Sequence, residues 1–477
     1  MNAYETQLME QVDRWVDAHA QAMAQDVMEL VRYRSVSEKN ADVKPYGQAC
    51  RDVVDRAAAM CAGYGFHVRN HDYRSCTALL KGNTDEQIGI FGHLDVVPEG
   101  NDWTFPPFEP FVRDGYIAGR GTSDNKGPAV AALYAMRCLR ELNVALNHSV
   151  LLFLGAAEEV GMDDVVHYIE NNKAPKFSFT PDSMYSVCYG EKGVLNARFA
   201  RDVAGGNLVA FNGGHVTNSV ADRAVAVISG FSLTDVQKAV AGYGDITARE
   251  VEDNNGGTKG LGRCVELTAV GVARHAAFPE GSVNAIQRLA LALSEQGLVT
   301  GAALGAMQFI AGALADNWGT GLDIAFEDEI SGATSCIGGL AWMEGTTYHQ
   351  DINVRYAISA DVRELKRRLS ARCAEHGFAL TLFKDSKPSY IPPDSPLVQM
   401  LDQTVGEFYG DRFKPYIMGG GTYARKIPNA VAFGPDVSIE DAPFNGAHQP
   451  DEGVCVETLL TAIKIYVLAL TRLDAML

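Results

Sequence analysis

The sequence predicts a mixed α/β protein of more than one domain, and three observations carry that reading. Residues 1–184 alternate apolar strand-like runs with helical patterns, residues 185–385 shift to strands surrounding shorter helices, and the first pattern resumes from residue 386. At 477 residues the chain exceeds what one hydrophobic core usually holds, so two or three domains are expected. Strands that alternate with helices favour a largely parallel sheet, whose ligand site lies beyond the carboxyl ends of the strands.

The elements follow in order. Met9, Val12, Trp15 and Val16 recur at helical spacing, as do Val53, Val54, Ala57 and Cys61. Strands are expected at 77–81 and 87–91, a helix at 126–141 just after Asp124, and an apolar strand at 148–155 that leads into Glu158-Glu159. A helix at 162–171 and a short strand at 177–180 precede Pro181-Asp182. In the middle region, strands at 194–200, 224–229, 265–272, 352–360 and 379–383 surround helices at 233–243, 285–295 and 364–376. The order strand, helix, strand occurs twice there, which predicts an inserted domain (185–385) built from two similar halves. The proline-rich stretch 387–394 reads as the return hinge. A helix from Leu397, the glycine loop 419–424, a strand at 430–433 and a helix at 456–470 then complete a discontinuous first domain, 1–184 with 386–477.

Composition narrows the function. A formal charge of −18 repels phosphate and argues against nucleic-acid or acidic-membrane partners. No apolar run is long enough to span a bilayer, and residues 1–30 lack the apolar core of a signal peptide. Nine cysteines without a CxxC pair offer neither a disulfide framework nor a thiolate zinc site. A cytoplasmic enzyme acting on small molecules fits these facts.

The chemistry gathers at predicted strand ends. His93 and Asp95 stand two apart, so one can ligate a metal while the other orients it; a satisfied polar pair fits equally well. Asp124 follows a glycine-rich turn, where it reads as ligand or as helix N-cap. Glu158 and Glu159 end an apolar run, where adjacent carboxylates repel unless a cation or shared proton relieves them, with two solvated acids as the plain alternative. Asp182 either joins this group or begins a turn, and His448, in a loop too polar for a core histidine, reads as a ligand or as a surface histidine. Hard carboxylates with imidazoles and no thiolates suit a pair of zinc, manganese or cobalt ions.

The motifs GHLDVVPEG, GRGTSDNKGP, EEVGMDD, TPDS followed by GEKG, RHAAFPEGSVNA, MGGGTYAR and NGAHQPDEG, in that order, resemble the co-catalytic metallopeptidase family of carnosinase-like dipeptidases, aminoacylases and desuccinylases. The peptidase V branch looks most similar. The resemblance implies a zinc-peptidase-like three-layer αβα catalytic domain with an inserted α+β lid. It implies that His93 and Asp182 bind one divalent ion, most simply Zn2+, that Glu159 and His448 bind the other, and that Asp124 bridges them. Asp95 would support His93, and Glu158 would be the general base acting on a metal-bridging hydroxide. His275, otherwise an exposed turn histidine, would steady the oxyanion. Asn218, Arg355, Gly420, Gly421 and Thr422 would hold substrate, although Arg355 fits a structural ion pair as readily. The long lid implies a monomer, with His275 acting in its own chain. Hydrolysis of dipeptides is the expected activity, with N-acyl amino acid amidohydrolysis as the alternative.

Overall fold

The computed structural model describes residues 1–251, 264–437 and 439–477. They form two compact units, Met1–Gly190 with Tyr390–Ile417 and Gly421–Leu477, and Glu191–Ser389 with Met418–Gly420.

The first unit is organised by a nine-stranded sheet whose path runs His67–His71, Ser75–Leu80, Ser149–Gly155, Gln87–His93, Phe177–Thr180, Ala430–Phe433, Val187–Glu191 and Ser389–Tyr390, with Tyr416–Met418 also pairing to Val187–Glu191. The centre, from Ser149–Gly155 to Ala430–Phe433, is parallel, and the pairings immediately to either side, with Ser75–Leu80 and Val187–Glu191, are antiparallel. Side chains alternate between the sheet's faces. Ile88, Ile90, Val150, Leu152 and Leu154 share one core with residues of helices Ala3–Val31, Gln48–Gly63, Lys126–Glu141 and Val456–Met476. Phe91, Leu151 and Phe153 point the other way and pack with Val165 and Tyr168 of helix Asp163–Asn171 and with Tyr423. Helices therefore cover both faces, giving three layers, and Ser149–Gly155 is buried throughout its length.

The second unit is an eight-stranded antiparallel sheet, ordered Ile246–Val251, Cys264–Val270, Arg223–Ser229, Leu208–Gly213, Ser335–Glu344, Thr347–Tyr356, Gly193–Asp202 and Ala379–Ser386. Its strands alternate buried and half-buried positions, and the buried set packs with helices Leu233–Ala239, Ala285–Glu295, Ala302–Ala313 and Val362–Glu375. The repeated half is explicit. Arg223–Ser229, Leu233–Ala239 and Ile246–Val251 correspond to Thr347–Tyr356, Val362–Glu375 and Ala379–Ser386, and each third member forms an outer edge of the sheet. The expected helix at 233–243 stops at Ala239, ahead of Gly242 and Gly244.

Candidate metal centre

Parallel pairing aligns the carboxyl ends of the central strands. His93 is the last residue of its strand, Asp182 follows Phe177–Thr180, and Glu158-Glu159 follow Ser149–Gly155. The His93 ring is buried, with Nδ1 3.0 Å from the Asp95 carbonyl oxygen and 3.4 Å from Asp95 Oδ1. A carbonyl only accepts, so Nδ1 carries the proton and the Nε2 lone pair faces the site. There Nε2 lies 2.9 Å from Asp124 Oδ1 and 3.8 Å from Asp182 Oδ2.

Asp124 stands between two imidazoles. Its Oδ1 faces His93, and its Oδ2 lies 3.0 Å from His448 Nε2, which also lies 3.0 Å from Glu159 Oε1. Two overlapping groups, His93 with Asp124 and Glu159, and His93 with Glu158 and Asp182, each bring their ligand atoms within 4.8 Å of one another. His93 Nε2, Asp124 Oδ1 and Glu158 Oε1 are buried without a hydrogen-bond partner, although Nε2 and Oδ1 are at ion-pair distance. Buried polar atoms that converge without hydrogen-bond alignment are what a bound cation would satisfy, so the donor set fits divalent ions.

The electrostatics point the same way. Burial pushes the Glu158 carboxyl well above its usual range, with Asp182 and Glu159 adding to it and His93 opposing. Glu159 is raised by burial and Asp124, and Asp182 reaches about 7 for the same two reasons. Burial disfavours a charged His93, yet Asp124 and Asp95 outweigh it and raise the ring well above its ordinary value. Asp124 and Glu159 lift His448 to about 11, and despite burial the two imidazoles lower Asp124. Carboxylates crowded this closely need positive charge, and a cation on Nε2 would displace the proton each ring otherwise holds.

Besides Asp95, which the sequence singled out, several residues that position this centre gave no sequence signal. The Asp95 carboxylate accepts the backbone N–H groups of Glu158 and Glu159, both at 3.1 Å. Asp164 accepts those of Ala156 at 2.8 Å and Ala157 at 2.9 Å, and the Tyr423 hydroxyl at 2.5 Å. Two buried acids therefore fix the turn that carries Glu158 and Glu159. Gly155 makes room for this, since a Cβ there would lie 2.0 Å from the Tyr423 hydroxyl. Asn125 accepts from the His93 N–H at 3.2 Å and donates to the Pro181 carbonyl at 2.5 Å, tying two strand ends together. Glu452, fully buried, accepts from the N–H groups of Gly121 (3.1 Å), Ser123 (2.9 Å) and Asp124 (3.2 Å) and pairs with Arg120 at 2.6 Å. Most of these contacts span long stretches of sequence, and those of Asp164 with Ala156 and Ala157 follow no recognised spacing.

In the second unit, the backbone carbonyl of Asn218 accepts from Ala276 N–H at 2.9 Å, and Ser219 bridges His275. His275 is exposed, and its Nδ1 accepts from Ala277 N–H at 3.2 Å, which puts a neutral ring's proton on Nε2. Arg355 is buried, donating to Asn353 Oδ1 at 2.8 Å and to the Gly419 carbonyl at 3.0 Å. A Cβ at Gly419 would meet the Ala277 Cβ at 2.9 Å, so Gly419 packs directly against the His275 loop within this unit. Gly420 belongs to this unit, whereas Gly421 and Thr422 belong to the first, where the Thr422 hydroxyl caps the turn Tyr423–Lys426.

The model of peptidase family M20/M25/M40 matches residues 89–472. The chain belongs to that peptidase family. YtjP of Bacillus subtilis (strain 168), provisionally named a dipeptidase, is 31% identical over 461 residues, covering 94% of this chain and 97% of its own. A Staphylococcus saprophyticus protein with a similar provisional name is 29% identical over 464 residues, covering 94% of this chain and 96% of its own. Human carnosine dipeptidase 1 shares the fold with a TM-score of 0.59 at 16% identity, covering 98% of this chain and 99% of its own. The di-peptidase Dug1p of Saccharomyces cerevisiae does so with a TM-score of 0.59 at 12% identity, covering 98% of each chain. Among the described residues, no helix is long and apolar enough to cross a membrane.

Proposed function

We propose that this M20-family hydrolase is a metal-dependent dipeptidase. The observation that carries the reading is the convergence of His93, Asp124, Glu158, Glu159, Asp182 and His448 around buried ligand atoms that lack hydrogen-bond partners. Relatives named as dipeptidases over nearly the whole length favour dipeptides over N-acyl amino acids, the alternative substrates for the same centre. Residues 1–184 and 386–477 are assigned as the catalytic domain and 185–385 as the lid. The enzyme is read as a cytoplasmic monomer.

His93 and Asp182 would hold one divalent ion and Glu159 and His448 the other, with Asp124 between them; zinc is the first choice, manganese or cobalt the next. When bound, the pair supplies Lewis acidity to the substrate carbonyl and makes water easier to deprotonate. Glu158, raised by burial, takes a proton from the attacking water and returns it to the leaving nitrogen as the C–N bond breaks. Asp95 positions both neighbours, His93 and the Glu158-Glu159 turn. His275 presents its Nε2 proton to the carbonyl oxygen as it gains charge. Asn218, Arg355, Gly420, Gly421 and Thr422 frame the substrate's backbone and carboxylate.

The test is Glu158→Gln, which keeps shape and removes the base. Turnover of a small dipeptide should fall about 100- to 10,000-fold with metal content unchanged. Wild-type turnover in the metal-loaded variant would refute the assignment.

A further inference from the structure

In the second unit, strand Thr347–Tyr356 carries Asp351, Asn353 and Arg355 on one face, since alternate residues share a side. The antiparallel neighbour Gly193–Asp202 sets Arg198, Asn196 and Val194 opposite them in register. Asp351 takes the Arg198 guanidinium in a two-point pair at 2.6 and 2.9 Å. Arg355, opposite Val194, reaches along its own strand instead. Its Nε donates to Asn353 Oδ1 at 2.8 Å and its Nη1 to the Gly419 carbonyl at 3.0 Å. A guanidinium only donates, so the oxygen of the Asn353 amide must face it and the NH2 must face away. That NH2 donates to Asn196 Oδ1 at 2.7 Å, which fixes the amide in this sense. Asn353 is 2% exposed, so little water competes for either end.

A neutral oxygen on Nε holds the guanidinium plane without cancelling its charge. A carboxylate there would hold the plane and cancel the charge together, as Asp351 does for Arg198. With Nε committed to Asn353, an incoming carboxylate meets the fork end-on, at Nη1 and Nη2. We propose that Asn353, itself set by Asn196, is a positioning residue that aims a charged Arg355 at the substrate's terminal carboxylate. The amide pair thereby makes the enzyme selective for peptides with a free carboxyl end over those whose end is neutral. This rests on the dipeptidase reading, in which Arg355 meets that carboxylate, and deepens it.

The test compares alanyl-leucine with alanyl-leucinamide, the same skeleton with a neutral end, in metal-loaded wild type, Asn353→Asp, Asn353→Leu and Asn196→Leu. Wild type should favour the acid by about 10- to 100-fold in kcat/KM, the worth of one charged hydrogen bond. Asn353→Asp should lose that preference through KM on the acid alone, because its carboxylate takes the charge the substrate needs. Asn353→Leu and Asn196→Leu, which release the guanidinium or the amide that holds it, should lose part of the preference, again in KM, with kinetics on the amide unchanged. Asn196→Leu leaves Asn353 and Arg355 in place, so it carries the test should an Asn353 variant fail to fold. Variants that keep the preference overturn the assignment. A fall in kcat that is equal on both compounds also overturns it, since a merely structural role would act that way. Wild type with no preference would overturn carboxylate reading by Arg355. Wild type that hydrolyses neither compound would remove the dipeptidase reading itself, and the role of Asn353 with it.

Discussion

Replacing Glu452 by Gln tests whether the loop carrying Asp124 is held from behind. The Glu452 carboxylate is 0% exposed and Arg120 1% exposed, so their 2.6 Å pair is sealed from water. Gln can keep its oxygen on the Ser123 and Asp124 N–H groups only by turning its amide donor toward the guanidinium. Breaking one side of a buried pair costs about 3–5 kcal/mol, because the remaining charge is stranded. The lower end is expected here, since Arg120 also donates to the Glu99 carbonyl at 3.3 Å and lies 5.0 Å from the Trp103 ring. Support for a metal-binding carboxylate is typically worth 10- to 100-fold in metal affinity, and a drop of about that size should accompany the loss. Urea unfolding of the chelated proteins and competition against a chromophoric chelator measure the two quantities. The double variant Arg120→Met/Glu452→Gln should be more stable than Glu452→Gln alone, since the stranded charge is gone. Wild-type stability and metal affinity in Glu452→Gln would refute the reasoning.

Two further outcomes follow from the same geometry. Burial and Asp95 raise the Asp164 carboxyl to about 7, above its unfolded value. A raised acid stabilises the fold fully below the unfolded pKa near 4 and loses that contribution as pH rises through 7, a change of up to about 4 kcal/mol. Unfolding of wild type relative to Asp164→Asn, followed from pH 4 to 8, should show this decline, and a constant difference would contradict it. His275→Ala should lower kcat about 100- to 1,000-fold with little change in KM, as loss of an oxyanion donor does. An unchanged kcat with raised KM would instead make His275 a substrate-holding residue.

The fold was legible where periodicity is strong. Phe177–Thr180, Ala430–Phe433, Lys126–Glu141 and Ala285–Glu295 coincide with the expected segments. The reading failed where composition hides the period. Helix Ala302–Ala313 is almost wholly alanine, glycine and apolar residues and so shows no polar face, while Gly338-Gly339 interrupts the pattern of Ser335–Glu344. The parallel sheet was expected from alternation, yet its antiparallel flanks, such as His67–His71 on Ser75–Leu80, depend on pairings that alternation does not encode. His93, Asp124, Glu159, Asp182 and His448 were nameable because each is an acid or imidazole in a distinctive local setting, after an apolar strand or in a glycine-rich or polar loop. Asp164, Asn125 and Glu452 were not, because a carboxylate or amide that binds distant backbone resembles any other polar residue until the chain is folded.

The central claim is that two divalent ions at this centre make the chain a dipeptidase. Chelated protein, titrated with zinc and in parallel with manganese and cobalt while dipeptide hydrolysis is followed, tests it most directly. Activity should be absent at the start and rise to a plateau at about two ions per chain for the effective metal. Full hydrolysis by the chelated protein, or a fully loaded protein that leaves every dipeptide intact, would contradict it.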